Sequence, residues 1–152
     1  HNILGHTHKE STDDESVAEE AAADNYAIEL LSDTFDGDFG FNHKVGAVTV
    51  LCSLLVMGKD SISGGSRHPH MDYRIRMMMT KLNLHEMDCL WGYVGSALRL
   101  WLLVYGGLTI QEDMNTGGFD SYKDFYEHYL RLLTQVREQR FPKLLKPVWY
   151  VE

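Results

Sequence analysis

The stretch from Met87 to Tyr105, MDCLWGYVGSALRLWLLVY, constrains this chain more than any other feature. It is a long apolar run with Arg99 near its middle. It therefore reads as a buried central helix of a mainly α domain, closed by Gly106 and Gly107. The segment Leu90 to Ile110 is also about long enough to cross a bilayer. Arg99 in its middle and four glycines would make a lone lipid-facing helix unfavourable by a few kcal/mol. Membrane association is accordingly the lesser expectation.

Helical periodicity recurs along the rest of the chain. Ser16 to Ser32 reads as a helix with capping residues at Ser11 to Asp14. Glu15, Glu19, Ala22 and Glu29 form its wet stripe; Ala27, Leu31, Glu20 and Asp24 lie on the other side. Asp33 to Lys44 reads as an acidic loop, Val45 to Met57 as a second buried helix, and Gly58 to Arg67 as a flexible connection. Pro69 opens a helix carrying Met71, Ile75, Met78, Met79 and Leu82, a stripe read as core filler, which Asn83 ends. Thr109 to Gly118 reads as a loop. Ser121-x-x-Asp124 then opens a last amphipathic helix with Phe125, Tyr129, Leu132, Leu133 and Val136 on one face. The expectation is one helical domain over residues 1–152, with an extended tail over 141–152.

Charge narrows the partners. With 14 Lys+Arg against 22 Asp+Glu the chain carries a formal −8, so duplex nucleic acid is not expected, because phosphate binding needs clustered positive charge. The acids crowd the first 40 residues and the bases the last stretch, Arg131 to Lys146, which reads as two solvated faces or a pair of complementary ones. Cys52 and Cys89, both inside apolar runs, read as small core residues of a protein from a reducing, cytoplasmic compartment. No Gly-rich phosphate loop, Cys-x-x-Cys pair or nucleophile elbow is present. His43, His85 and His128 form no pattern.

Chemistry concentrates in the first helix. Two carboxylates on the inward side of one helix, Glu20 and Asp24 in EAAADNYA, are costly unless paired or metal-bound. The alanines let that helix approach a neighbour closely, as a short carboxylate arm must to reach a metal. His1, with His6 and His8, lies just upstream and could supply nitrogen ligands. A plainer alternative is a structural pair satisfied by an arginine such as Arg74 or Arg99. His68 and His70 read first as capping or packing residues.

These residues resemble the gluzincin metallopeptidases, most closely the Lit-type phage-exclusion and ImmA-type peptidases. In such families the H-E-x-x-H helix is followed by an apolar pair, Gly and another His, which His1-Asn2-Ile3-Leu4-Gly5-His6 matches if His1 is the motif's second histidine. The resemblance implies His1 and Glu20 as zinc ligands, and Asp24 as the residue that fixes a ligand histidine's tautomer, with His6 also in the outer shell. The motif's first histidine and its general-base Glu are then expected immediately upstream of His1, together with any sheet. Arg67-His68-Pro69-His70-Met71-Asp72-Tyr73-Arg74 resembles the His-Pro helix start of related peptidases. It makes His68, His70 and Tyr73 candidates for contacting the oxyanion. The implied function is a zinc-dependent endopeptidase acting on an intracellular protein, in phage exclusion or a stress response. The alternative is a non-enzymatic helical interaction or oligomerisation domain.

Overall fold

The computed structural model describes residues 12–32, 40–63 and 68–141. Among these the secondary structure is helical throughout, with no strand. Helix α1 is Asp13–Ser32, α2 Gly40–Val56, α3 Met71–Lys81, α4 Cys89–Trp101, α5 Ile110–Met114 and α6 Tyr122–Arg140. The mainly α expectation holds. Residues 1–11, 33–39, 64–67 and 142–152 and the Leu31 side chain, on which parts of the expected acidic loop, flexible connection and extended tail fall, lie outside the described residues.

Helix α4 is the hub, packed between α2 and α6. Leu90, Trp91, Val94, Leu98 and Trp101 face inward, and Trp101 is completely buried, its indole N–H donating to the Gly58 carbonyl at 3.0 Å. The expectation of a helix buried on all sides is corrected: Tyr93, Leu100 and Val104 are exposed. Helix α2 is one-sided in the same way, with Val48, Leu51, Cys52 and Leu55 inside but Val50 and Val56 out. Few helices surround each other in a chain of this size, so each central helix keeps one face in solvent.

Two glycines explain how tightly α4 and α6 pack. A Cβ at Gly95 would stand 2.6 Å from Phe125 Cε1 and 3.2 Å from the Tyr126 Cα, and one at Gly92 would stand 3.1 Å from the Tyr122 ring. Beyond Trp101 the helix widens into one π turn, Leu102–Gly106. Gly107 ends it at φ 84°, a conformation suited to glycine.

Several boundaries differ from the periodicity reading. Helix α2 begins at Gly40, inside the segment expected to be a loop. The expected flexible connection contains a 3₁₀ turn, Ser61–Ser63, because Ile62 is completely buried beneath it. The expected loop after Gly107 contains α5, started by a reciprocal Thr109–Glu112 capping box. Asp88 caps α4 through the Leu90 N–H at 2.9 Å, so that helix starts at Cys89 rather than Met87. Cys89 is therefore in a first turn and exposed, while Cys52 is buried as expected. On α6 the buried line is Tyr126, Tyr129, Leu130, Leu133 and Arg137, turned by about one residue from the expected face. The methionine stripe of α3 is core: Met71, Ile75, Met78, Met79 and Leu82 are all buried.

Candidate active site

Helix α1 meets the rest of the molecule through α3. Among its described side chains the buried ones are Ala21 and Ile28, two turns apart, whereas Ala27, expected inside, is exposed. The small Ala21 side chain is what permits the close approach. Three polar pairs then lie along the seam in ascending order, so α1 and α3 run parallel: Glu20 with His68 just before α3, Asp24 with Arg74, and Glu29 with Lys81.

The middle pair is the tightest. Arg74 donates from Nε to Asp24 Oδ2 at 2.6 Å and from a terminal nitrogen to Oδ1 at 2.9 Å, with both side chains about four-fifths buried. Charge-assisted, bidentate pairing of this kind fixes orientation as well as lowering energy. Asp24's partner among the described residues is thus this arginine, not a histidine ring. Arg99, the other arginine considered, is engaged elsewhere.

One turn before Asp24, the Glu20 carboxylate faces His68, with Oε2 and Nδ1 3.5 Å apart. That separation is long for a hydrogen bond. It is close to the roughly 3.3 Å between two ligands on a tetrahedral ion with bonds of about 2.0–2.1 Å. A carboxylate oxygen and an imidazole nitrogen are also both zinc-ligand types. Glu20 is about three-quarters buried, and His68 is half exposed, so the pair sits at the mouth of the seam rather than in the core. Among the described residues no three His, Cys, Asp or Glu side chains gather closely enough to hold a metal. His1 and His6 lie outside the described residues.

His70 and Tyr73 follow His68 at the start of α3. His70, buried before α3, has Nδ1 2.6 Å from the Ser63 carbonyl. A carbonyl only accepts, so Nδ1 carries the proton and Nε2 is left as the second functional atom. Burial pushes the Tyr73 phenol above its ordinary range, keeping it a hydrogen-bond donor near neutral pH. His68, His70 and Tyr73 thus share the N-terminal end of α3, as their spacing suggested.

Two ionic clusters were not anticipated by sequence reasoning. Asp113 of α5 is almost fully buried and accepts from Arg99 Nε at 2.9 Å and from the Tyr129 hydroxyl at 2.7 Å. Asp72 of α3 accepts from Arg137 Nε at 3.1 Å and from the Thr134 hydroxyl at 3.0 Å on α6. The polar residues concerned lie far apart in sequence, and only the helix packing brings them together.

The comparison with known families bears on the α1–α3 seam. The Peptidase U49 family model matches residues 1–94. The chain belongs to the peptidase U49 family. No curated protein and no solved structure gives a significant match. The U49 match spans every site residue singled out from the sequence, from His1 and His6 through Glu20 and Asp24 to His68, His70 and Tyr73. It stops within α4, so the Asp113 cluster lies beyond it. Among the described residues no helix is long and apolar enough to cross a membrane.

Proposed function

We propose that this U49 peptidase is a zinc-dependent endopeptidase of the cytoplasm, with Glu20 among its metal ligands. The observation that carries the reading is the Glu20–His68 pair, whose 3.5 Å separation suits two ligands of one tetrahedral ion. Glu20 and His1, the ligands the gluzincin resemblance assigns, would hold the metal together with His68, which its place beside Glu20 moves from the oxyanion role expected of it to that of a ligand. Bound there, zinc supplies a Lewis acid that polarises a scissile carbonyl and makes water nucleophilic near neutral pH.

The chain's own residues supply orientation. The Asp24–Arg74 fork locks α1 against α3 one turn beyond Glu20, so the carboxylate arm reaches the His68 end of the seam with little freedom. The hydrogen bond from His70 to the Ser63 carbonyl fixes that ring's tautomer. The protonated Tyr73 phenol is the group at this end suited to donate to a substrate carbonyl oxygen, whereas His70 Nε2, an acceptor in this tautomer, is suited to receive a proton. The substrate class is an intracellular protein, and the Lit-type resemblance points to phage exclusion or stress as the setting.

The test is a comparison of cell proteomes by N-terminal labelling. New N-termini generated by the full-length wild-type protein should vanish with Glu20→Gln and with a zinc chelator. New N-termini that persist in both cases would refute a zinc-dependent reading. Their absence with folded, zinc-loaded wild type would favour the interaction-domain alternative.

A further inference from the structure

On the face of α3 away from α1, a groove of about 650 Å³ opens between α3, α4 and α6. Its charge is opposite to that of the chain as a whole. Arg76, Lys123 and Arg131 line it against a single carboxylate, Glu127, whereas the whole chain carries −8. Lys123 reaches Glu127 only at 3.8 Å between exposed groups, a pair that contributes little. Arg131 donates to the His128 ring at 3.3 Å rather than to a carboxylate. No ion pair joins Arg76 to a carboxylate among the described residues. Two guanidinium groups and an ammonium are thus offered with little neutralisation.

The groove's floor is formed by the edges of core side chains that are themselves almost wholly buried. Trp91 and Tyr126 pack with ring centroids 4.8 Å apart, flanked by Met79 and Leu130. Lys123 Nζ lies 5.9 Å above the Trp91 ring. Beneath it the Tyr126 hydroxyl is buried without a hydrogen-bond partner among the described residues. Burial pushes this phenol far up, and Arg76 is the cation that pulls it back, placing Arg76 electrostatically close to it.

Spacing selects the ligand. Lys123 and Arg131 are eight residues apart on α6, about 12 Å along the axis. An extended chain spans that distance in about four residues, so carboxylates spaced along one peptide can meet both cations at once. We propose that this groove docks an acidic, apolar-interspersed peptide segment of the protein substrate, on the opposite side of α3 from the Glu20–His68 pair. The proposal rests on the peptidase reading for the word substrate, while docking itself requires no proteolysis.

Fluorescence anisotropy of the full-length protein with a labelled peptide of alternating Glu and Leu tests it, beside the same peptide with Gln for Glu. The acidic peptide should bind at least about tenfold more tightly, with affinity falling as salt rises. The double variant Arg76→Glu with Arg131→Glu should weaken it at least about tenfold, and Lys59→Glu, an exposed reversal elsewhere, should leave it within about twofold. Unchanged thermal melts exclude misfolding as the cause, and the single variant Arg131→Glu replaces the double one if that fails to fold. Equal affinity for the two peptides, no binding, or full binding by the variant would overturn the proposal. Displacement by millimolar inorganic phosphate, or tighter binding of single-stranded oligothymidylate, would overturn it too. Since binding is read without cleavage, a failed zinc or proteolysis test leaves this result separately interpretable.

Discussion

Arg74 holds both oxygens of Asp24 in a two-pronged grip at 2.6 and 2.9 Å, joining α1 to α3 across fifty positions of sequence. Asp24→Ala leaves the mostly buried guanidinium without its carboxylate. It should cost about 1–3 kcal/mol of stability, read as a lower thermal midpoint. In a double-mutant cycle with Arg74→Ala the two losses should fall well short of adding, because each variant removes the same bond. Additive losses would mean the grip contributes nothing. If the fork also positions Glu20, Asp24→Ala should lower zinc affinity or activity by about 10–100-fold.

The sequence placed Glu20 and Asp24 on the inward side of a helix and His68, His70 and Tyr73 at the start of another. Periodicity and the Pro69 signal were enough for that. What it left open was the partner of Asp24, since both Arg74 and Arg99 were eligible. Choosing between them needs the placement of α3 and α4 relative to α1, which no local pattern encodes. Asp113 was invisible for the same reason: in sequence it is one acid in a polar loop, and only burial against Arg99 and Tyr129 makes it structural. The exposed faces of α2 and α4 escaped notice because an all-round apolar run does not say which side meets solvent.

The Asp113 cluster makes stability depend on pH at both ends. The Arg99 guanidinium, foremost, holds the Asp113 carboxyl below the usual range against an opposing burial cost. A depressed acid stabilises the fold above its unfolded pKa, about 3.9, and that contribution is lost as pH falls below it. Burial, and next the bond to Asp113, pushes the Tyr129 phenol up to about 12. A raised group contributes fully below its unfolded value, about 10, and loses that contribution as pH climbs from 10 toward 12. Asp113→Asn should therefore flatten the acid limb of a denaturation series and weaken the alkaline one, while costing about 1–3 kcal/mol near neutrality. An unchanged acid limb would contradict the assignment.

The two thiols should separate cleanly. Burial raises the Cys52 thiol to about 11, whereas Cys89 is exposed in the first turn of α4. Native protein treated with a thiol reagent at pH 8 should label rapidly at Cys89 and at Cys52 only after denaturant is added. Rapid native labelling at Cys52 would mean that α2 is not packed as described.

Gly95 tests the α4–α6 contact. Alanine usually favours a helix by about 1 kcal/mol over glycine, but here the added methyl would collide with Phe125 and crowd the Tyr126 backbone. Overpacking should prevail, leaving Gly95→Ala about 1–3 kcal/mol less stable than wild type in denaturant melts. A more stable variant would show that the helices sit further apart.

The central claim is that Glu20 and His68 are ligands of one zinc ion. Elemental analysis of the full-length protein, loaded with zinc and then dialysed, tests it most directly alongside Glu20→Gln and His68→Ala. The account predicts about one zinc per wild-type chain and a severe loss of metal in both variants. Thermal melts of the metal-free forms should be nearly unchanged, because both side chains lie at the edge of the seam. Full zinc retained in Glu20→Gln, or a folded wild type that binds none, would contradict it.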